Sequence, residues 1–348
     1  LINVLIIDDS ALIREFLTDI LNNDNDINVV SAVSNAYKAT EILNNEKIDV
    51  IILDIDLPLM DGITFLEKIM NQHPLPVIII SGMMEEGSKD AIKALQLGAL
   101  EIIIKDKIGI KNFLNREKEN IINSIKNAAS ANIVQFNKLL LKDKKIIETS
   151  GIKKDQTGGG KSSNKIIAIG ASTGGTIVLR YIISRLPEGT HGIVITQHMP
   201  EFFTNQFSIS LNLIGKLHVK EAVMNDKVSI GNAIVARGNY HLEIVKSNNE
   251  YLCSLNKNPP VNRHRPSVDV MFKSIVKCAG ANTLGILLTG MGKDGAEGLK
   301  TIKEAGGTTV VQDEKSCTVF GMPKAAIDIN AAQHVLDIDD IVKFIKNW

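Results

Sequence analysis

The sequence predicts two α/β domains in tandem, each a parallel sheet with helices wound over both faces. Three observations carry this reading. Short apolar runs recur with helix-like stretches between them, which is the signature of βα units. The alternation occurs twice, on either side of a segment rich in Gly, Ser and Lys. The 348 residues also exceed what one hydrophobic core normally organises.

In residues 1–107 the runs NVLIID, VIILD, PVIII and EIII read as strands buried on both faces, as parallel strands are. SALIREFLTDIL and DGITFLEKIM between them have helical periodicity. Residues 112–145 read as helical and lead into TSGIKKDQTGGGKSSNK, a flexible linker by composition. Its GGGKS (158–162) lacks the earlier glycine of a phosphate loop, and no strand feeds it. From Lys165 the alternation resumes with KIIAIG, TIVLRYIISRLP, GIVITQHM, TLGILLTGM and GTTVVQD. Between Val219 and Pro259, the pieces NAIVA, HLEIV and YLCSL lie among Asn, Gly and Ser turns and predict an inserted antiparallel hairpin. The expected division is a first domain over 1–120, a helical and flexible linker over 121–164, and a second domain over 165–348.

Composition narrows the function classes. Apolar residues make up 44% and charged residues 22%, as in ordinary soluble domains. No apolar run approaches the ~20 residues of a membrane span. LINVLIIDDS carries acids where a signal peptide is basic, so a cytoplasmic protein without membrane insertion is expected. Cys253, Cys278 and Cys317 are scattered, against a disulfide framework or a zinc site and in keeping with a reducing compartment. The neutral total hides an asymmetry. Residues 1–125 hold 11 Lys and Arg against 20 Asp and Glu, residues 126–165 hold 9 against 3, and residues 166–348 hold 19 against 16. Two domains with different partners are implied. The last part is too weakly basic for nucleic acid, and it has no helix-turn-helix pattern.

Ligands of doubly wound sheets collect beyond the carboxyl ends of the strands. In the first domain those ends carry Asp8, Asp9, Asp54, Ser81 and Lys105. Three carboxylates together require a cation, and hard oxygen ligands suit Mg²⁺. With a lysine and a hydroxyl beside them they form a phosphoryl pocket in which Asp54 is the acceptor nucleophile. VLIIDDSALIR, VIILDIDLPLMDGITFLEKIM, VIIISG and the lysine of EIIIK together resemble a two-component receiver domain. The resemblance implies a flavodoxin-like sheet of order 2-1-3-4-5 and phosphorylation of Asp54 by a histidine kinase. It further implies Mg²⁺ on Asp8, Asp9, Asp54 and the backbone carbonyl of Asp56, with Ser81 and Lys105 on the phosphoryl oxygens. Asp106 stands where receivers usually have Pro, and Ile102 where a switch aromatic is common. Phosphorylation chemistry needs neither.

In the second domain IAIGASTGGT (167–176) opens three possibilities: a phosphate cradle, a dinucleotide fingerprint or a nucleophile's turn. Ser172 occupies the place of the second glycine of G-x-G-x-x-G, which counts against a dinucleotide, and no Lys-Ser/Thr pair follows. Gly170 to Gly174 fits G-x-S-x-G, in which small neighbours let a serine project from a strand-to-helix turn. A serine nucleophile needs a base and a group to orient it. His198 ends the strand GIVITQ and Asp294 follows TLGILLTG, so both fall on the same sheet edge as Ser172. The other histidines lie in loops, turns or the insert. The order Ser, His, Asp also differs from that of α/β-hydrolases.

GASTGG, TQHMP, RPSVDVMFKS, LLTGMGKDGAEG and FGMPKAAI together resemble the catalytic domain of chemotaxis protein-glutamate methylesterases of the CheB type. With a receiver in front, the resemblance extends over nearly the whole chain. It implies a phosphorylation-activated esterase that removes methyl groups from glutamate γ-methyl esters of chemoreceptors, with receptor glutamines as further substrates. Ser172 is then the nucleophile, His198 the base and Asp294 the orienting carboxylate. The Met291 backbone N–H is an oxyanion donor flanked by Thr173, and ester hydrolysis needs no cofactor. Arg237 stands where the family tends to have Pro. The alternative is a regulator whose second domain only binds a partner or nucleotide, with the Gly-Ser loop as a phosphate nest.

Overall fold

The structure, a computed structural model, describes residues 1–82, 87–105, 110–149 and 161–348. Asp106 and most of the Gly- and Lys-rich stretch after Thr149, GGGKS included except its last two residues, lie outside the described residues. The chain divides into two compact units, Leu1–Leu140 and Leu141–Trp348.

The first unit contains β1 (Ile2–Ile7), β2 (Ile27–Val33), β3 (Val50–Leu53), β4 (Val77–Gly82) and β5 (Glu101–Lys105). All pair in parallel, in the order β2-β1-β3-β4-β5. Val4–Ile7, Val50–Leu53 and Val77–Ile80 are sealed from solvent, so the three central strands supply the core, as continuous apolar runs require. Strand order reverses at β1 and β3, which places Asp8, Asp9 and Asp54 around one crevice. The helix Gly62–Gln72 starts against the loop that carries Asp54. Asp61 caps it through Thr64 N at 2.8 Å, and a Cβ on Gly62 would meet the Asp54 carbonyl oxygen at 2.1 Å. Only glycine permits that approach. The predicted helical stretch 112–145 is two helices, Ile110–Ala129 and Ile133–Thr149. Asn132 interrupts it by accepting a bond from Gln135 N at 3.1 Å, the local competition that makes Asn a helix starter.

The second unit has a seven-stranded parallel sheet. Its strands are β6 (Ile166–Ala171), β7 (Ile193–Gln197), β8 (His218–Glu221), β9 (Asn232–Val235), β12 (Thr283–Leu287), β13 (Thr308–Gln312) and β14 (His334–Leu336). A separate antiparallel pair, β10 (His241–Ser247) and β11 (Glu250–Asn256), turns at Asn248 and Asn249. Both asparagines have positive φ, as a two-residue hairpin turn demands. Leu242, Ile244, Tyr251 and Cys253 of this hairpin join one core cluster with Met271, Phe272 and Ile275 of the helix Val268–Ala279.

The predicted insert needs one correction. NAIVA does not belong to the hairpin: its residues 232–235 are β9, paired in parallel with β7 and β8 inside the main sheet. Ala233, Ile234 and Val235 are all buried, the continuous apolar pattern of a two-sided parallel strand. Arg237 therefore lies on the exposed loop beyond β9 and not in the hairpin. The three cysteines are free thiols. No helix among the described residues is long and apolar enough to cross a membrane.

The sheet order is β14-β13-β12-β6-β7-β9-β8. From β6 the chain moves to β7 on one side and later returns to β12 on the other. The crevice between those directions opens at the carboxyl ends of β12, β6 and β7, where Asp294, Ser172 and His198 follow.

Candidate active site

In the first unit the predicted polar residues converge. Lys105 Nζ lies 2.6 Å from Asp8 Oδ2 and 2.6 Å from Asp54 Oδ2. Carboxylate oxygens of Asp8, Asp9 and Asp54 lie within 4.8 Å of one another. Arg14 Nη1 donates to the backbone carbonyls of Asp8 (2.7 Å) and Asp9 (3.0 Å), which fixes the turn after β1. Ser81 is buried on β4, and Asp56 is exposed with its N–H 3.4 Å from Asp54 Oδ1. Burial pushes the Asp54 carboxyl up to about 6 against the opposing pull of Lys105. The charge balance tests the fit of a metal. Three clustered carboxylates face one lysine ammonium, so the ionised site carries an excess of two negative charges, which a divalent oxygen-seeking cation neutralises.

In the second unit the three loops are stitched together by backbone bonds. Ser172 N donates to Thr289 O at 3.0 Å, and His198 N donates to Ala171 O at 3.0 Å. Gln197, 3% exposed, donates through Nε2 to Ser172 O at 2.9 Å and to His198 O at 3.1 Å. Gly290 is required beside the serine, because a Cβ there would stand 2.7 Å from Ser172 Cβ and 2.4 Å from Met322 Sδ. Met291 follows and is exposed, while Thr173 is buried next to Ser172.

His198 Nε2 donates to Asp294 Oδ2 at 2.8 Å. Among the described residues its other nitrogen, Nδ1, is buried and has no hydrogen-bond partner, Ser172 Oγ included. With Nε2 carrying the proton for the carboxylate, Nδ1 presents a lone pair and is the atom able to accept a proton. Asp294 is 1% exposed and receives four further bonds. Val268 N donates to Oδ2 at 2.7 Å; Ser267 Oγ (2.7 Å), Asn262 Nδ2 (2.8 Å) and Asp269 N (3.2 Å) donate to Oδ1. Two of these donors are the first N–H groups of the helix Val268–Ala279, whose positive end favours an anion. Burial raises the Asp294 carboxyl, but His198 and the bonds from Asn262 and Ser267 outweigh it and hold the group well below the usual carboxylate range. The carboxylate is thus held in its ionised form and bonded at both oxygens.

Sequence reasoning passed over part of this arrangement. The ring of His264 stacks on that of His198, with centroids 3.7 Å apart and planes at 11°. Burial and the neighbouring His198 push its pKa down to about 3, so it is neutral at any ordinary pH. Asn262, Ser267, Asp269 and Gln197 were also unassigned. RPSVDVMFKS and TQHMP contain three of these five residues, so the motifs marked the region but not the contacts.

Fold and site define a response regulator: an aspartate-bearing receiver precedes a doubly wound domain with Ser, His and Asp at its switch point. The profile of the response regulator receiver domain matches residues 4–118, and that of the CheB methylesterase matches residues 167–345. A protein-glutamate methylesterase/protein-glutamine glutaminase of Leptospira interrogans is 46% identical over 342 residues, covering 98% of this chain and 98% of its own. A protein of the same name from Pseudomonas syringae pv. tomato is 44% identical over 351 residues, covering 98% and 97%. The crystal structure of the Thermotoga maritima CheB methylesterase catalytic domain superposes with a TM-score of 0.52 at 37% identity, covering 53% of this chain and 98% of that one. The chain belongs to the CheB methylesterase family.

Proposed function

We propose that this chain is a phosphorylation-controlled serine esterase acting on glutamate γ-methyl esters of chemoreceptors, with Ser172, His198 and Asp294 as its catalytic triad. The observation that carries the reading is the state of His198. Asp294 holds one ring nitrogen, the other is buried and without a partner among the described residues, and the His198 backbone is bonded to Ala171 beside the Ser172 turn.

The chemistry follows from that arrangement. Ser172 Oγ attacks the ester carbonyl while His198 Nδ1 takes its proton. Asp294 stabilises the resulting imidazolium through Nε2–H. The Met291 backbone N–H, with Thr173 flanking, receives the charge that develops on the carbonyl oxygen. The tetrahedral adduct collapses as the imidazolium gives its proton to departing methanol. Water, activated by the same nitrogen, then releases glutamate from the acyl-serine. The cycle needs no cofactor of its own, and the same steps hydrolyse a primary amide with ammonia as the leaving group. The double name of the relatives supports that second substrate.

In the receiver Asp54 takes a phosphoryl group from a histidine kinase. Asp8, Asp9, Asp54 and the Asp56 carbonyl would hold Mg²⁺, which supplies charge neutralisation at the phosphoryl oxygens when bound. Lys105, already paired with Asp54, and Ser81 would contact those oxygens. A substrate on the cytoplasmic helices of receptors puts the enzyme in the cytoplasm. A fluorophosphonate probe tests the reading against a mere binding domain. It is expected to label Ser172 alone, and His198→Gln to lose the label. Absence of label from the folded chain would refute an activated serine.

A further inference from the structure

The turn that precedes the helix Val268–Ala279 touches both partners of the serine from a segment outside the three triad loops. Val261 and His264 pair across it through backbone bonds at 3.1 and 2.9 Å. Asn262 and Arg263 between them both hold positive φ. This backbone brings two side chains to the site. Asn262 Nδ2 donates 2.8 Å to Asp294 Oδ1 and 2.8 Å to Asp269 Oδ2. His264 lays its ring on the face of His198.

The Asn262 bridge closes a reciprocal arrangement. Asp294, two residues before the helix Ala296–Glu304, accepts from the first N–H groups of Val268–Ala279. Asp269, in that latter helix, accepts from Gly298 N near the start of Ala296–Glu304 at 2.6 Å. Each helix start is therefore satisfied by a carboxylate from the other segment. A single amide joins the two carboxylates, each of which is nearly inaccessible to solvent. Oδ1 of Asp294 is thereby occupied by Asn262, Ser267 and Asp269, and Oδ2 is left to His198 and Val268.

Among the described residues the buried ring of His198 has one hydrogen-bond partner, Asp294 at Nε2, and that single bond leaves the plane of the ring to its packing. The flat ring of His264 lies against one face of it, with centroids 3.7 Å apart and planes at 11°, and opposes rotation out of that plane. The same face is compatible with the imidazolium that forms during turnover, because a neutral aromatic surface attracts a cation.

We propose that Asn262 and His264 are positioning residues for the triad, Asn262 by fixing the carboxylate that orients His198 and His264 by fixing the plane of its ring. Neither touches the ester. The inference rests on the triad reading above, and the two fail differently.

The test uses the full chain with Mg²⁺ and a small phosphodonor, and follows methanol release from methylated receptor. His264→Ala is expected to lower kcat on the order of ten- to a hundredfold with little change in KM, the scale of a small misplacement of a reacting group. His264→Phe, which keeps a flat ring and no ionisable nitrogen, is expected to recover most of the loss. His264→Leu, which fills space without a flat face, is expected to track alanine, and it stands in for alanine if that variant does not fold. Asn262→Ala is expected to lower kcat similarly. Its effect is expected to be less than additive with that of His264→Ala, since both act on one His–Asp pair. Full kcat in the alanine and leucine variants, or phenylalanine as impaired as leucine, would overturn the proposal while Ser172→Ala remained inactive. Turnover by Ser172→Ala would instead overturn the triad beneath it.

Discussion

Replacing Asp294 by Asn separates the electrostatic from the steric part of the role proposed for it, orienting His198. The carboxylate accepts five bonds, two at Oδ2 and three at Oδ1. An amide is the same size but has one donor end, and either orientation is frustrated. With its NH₂ at the Oδ2 position, it opposes the N–H groups of His198 and Val268. With its NH₂ at the Oδ1 position, it opposes Asn262 and the Asp269 N–H, while the Ser267 hydroxyl can turn to accept from it. Two buried donors lose their acceptor in both cases, a cost of about 2–6 kcal/mol at roughly 1–3 per unsatisfied group. The first orientation is relieved at His198 only if its proton moves to Nδ1, the nitrogen proposed to accept from serine. Loss of the productive tautomer lowers kcat on the order of ten-thousandfold. Urea unfolding of the second unit's signal gives the stability change, and methanol release at a temperature where the variant is folded gives the rate. A folded Asp294→Asn protein with kcat within tenfold of wild type would refute the tautomer argument. The pH dependence has a definite sign. A carboxyl held below its ordinary 3.8 contributes stability that is complete above that value and lost as pH falls below it. Wild type is expected to lose stability more steeply than Asp294→Asn as pH drops from 4 toward 2, by acid titration followed with circular dichroism. Parallel curves would contradict the assignment.

Gly290→Ala places a methyl against Ser172 Cβ and Met322 Sδ, and is expected to cost about 1–3 kcal/mol and displace the serine turn. Reduced fluorophosphonate labelling in a folded variant checks it, and unchanged labelling would show that the turn yields freely. Mg²⁺ with a small phosphodonor is expected to give an acid-stable, base-labile acyl phosphate on Asp54, absent from Asp54→Ala. Label that persists in that variant, or forms equally in EDTA, would refute the receiver site. Lys105→Ala leaves Asp8 and Asp54 without their ammonium. It is expected to slow phosphorylation while tightening Mg²⁺ dependence, measured as label formed against metal concentration.

The parallel strands and the triad candidates were legible because both depend on local pattern. Apolar runs identify buried strands, and in a doubly wound sheet the residue after a strand is already placed on the ligand edge. That rule brings Ser172, His198 and Asp294 to one sheet edge, where His198 bonds to Asp294. NAIVA was misplaced because a four-residue buried strand, flanked by Asn and Gly turns, has no period to distinguish it from a hairpin arm. Asn262 and His264 were not legible for a different reason. Their roles arise from a positive-φ turn in a polar stretch, and they act on residues some thirty or more positions away in the chain. Ser267 precedes the helix Val268–Ala279, yet its hydroxyl makes no cap bond and goes to Asp294, which also takes the N–H groups of Val268 and Asp269. Such exchanges between distant segments leave no trace in spacing.

The most direct test is methanol release from methylated chemoreceptor membranes by the full chain, with and without phosphodonor, in wild type and Ser172→Ala. Wild type is expected to release methanol and to do so faster with the phosphodonor. Ser172→Ala is expected to release none in either condition while unfolding within about 0.5 kcal/mol of wild type. Turnover by Ser172→Ala, or a wild-type rate indifferent to phosphorylation of Asp54, would contradict a phosphorylation-controlled serine esterase.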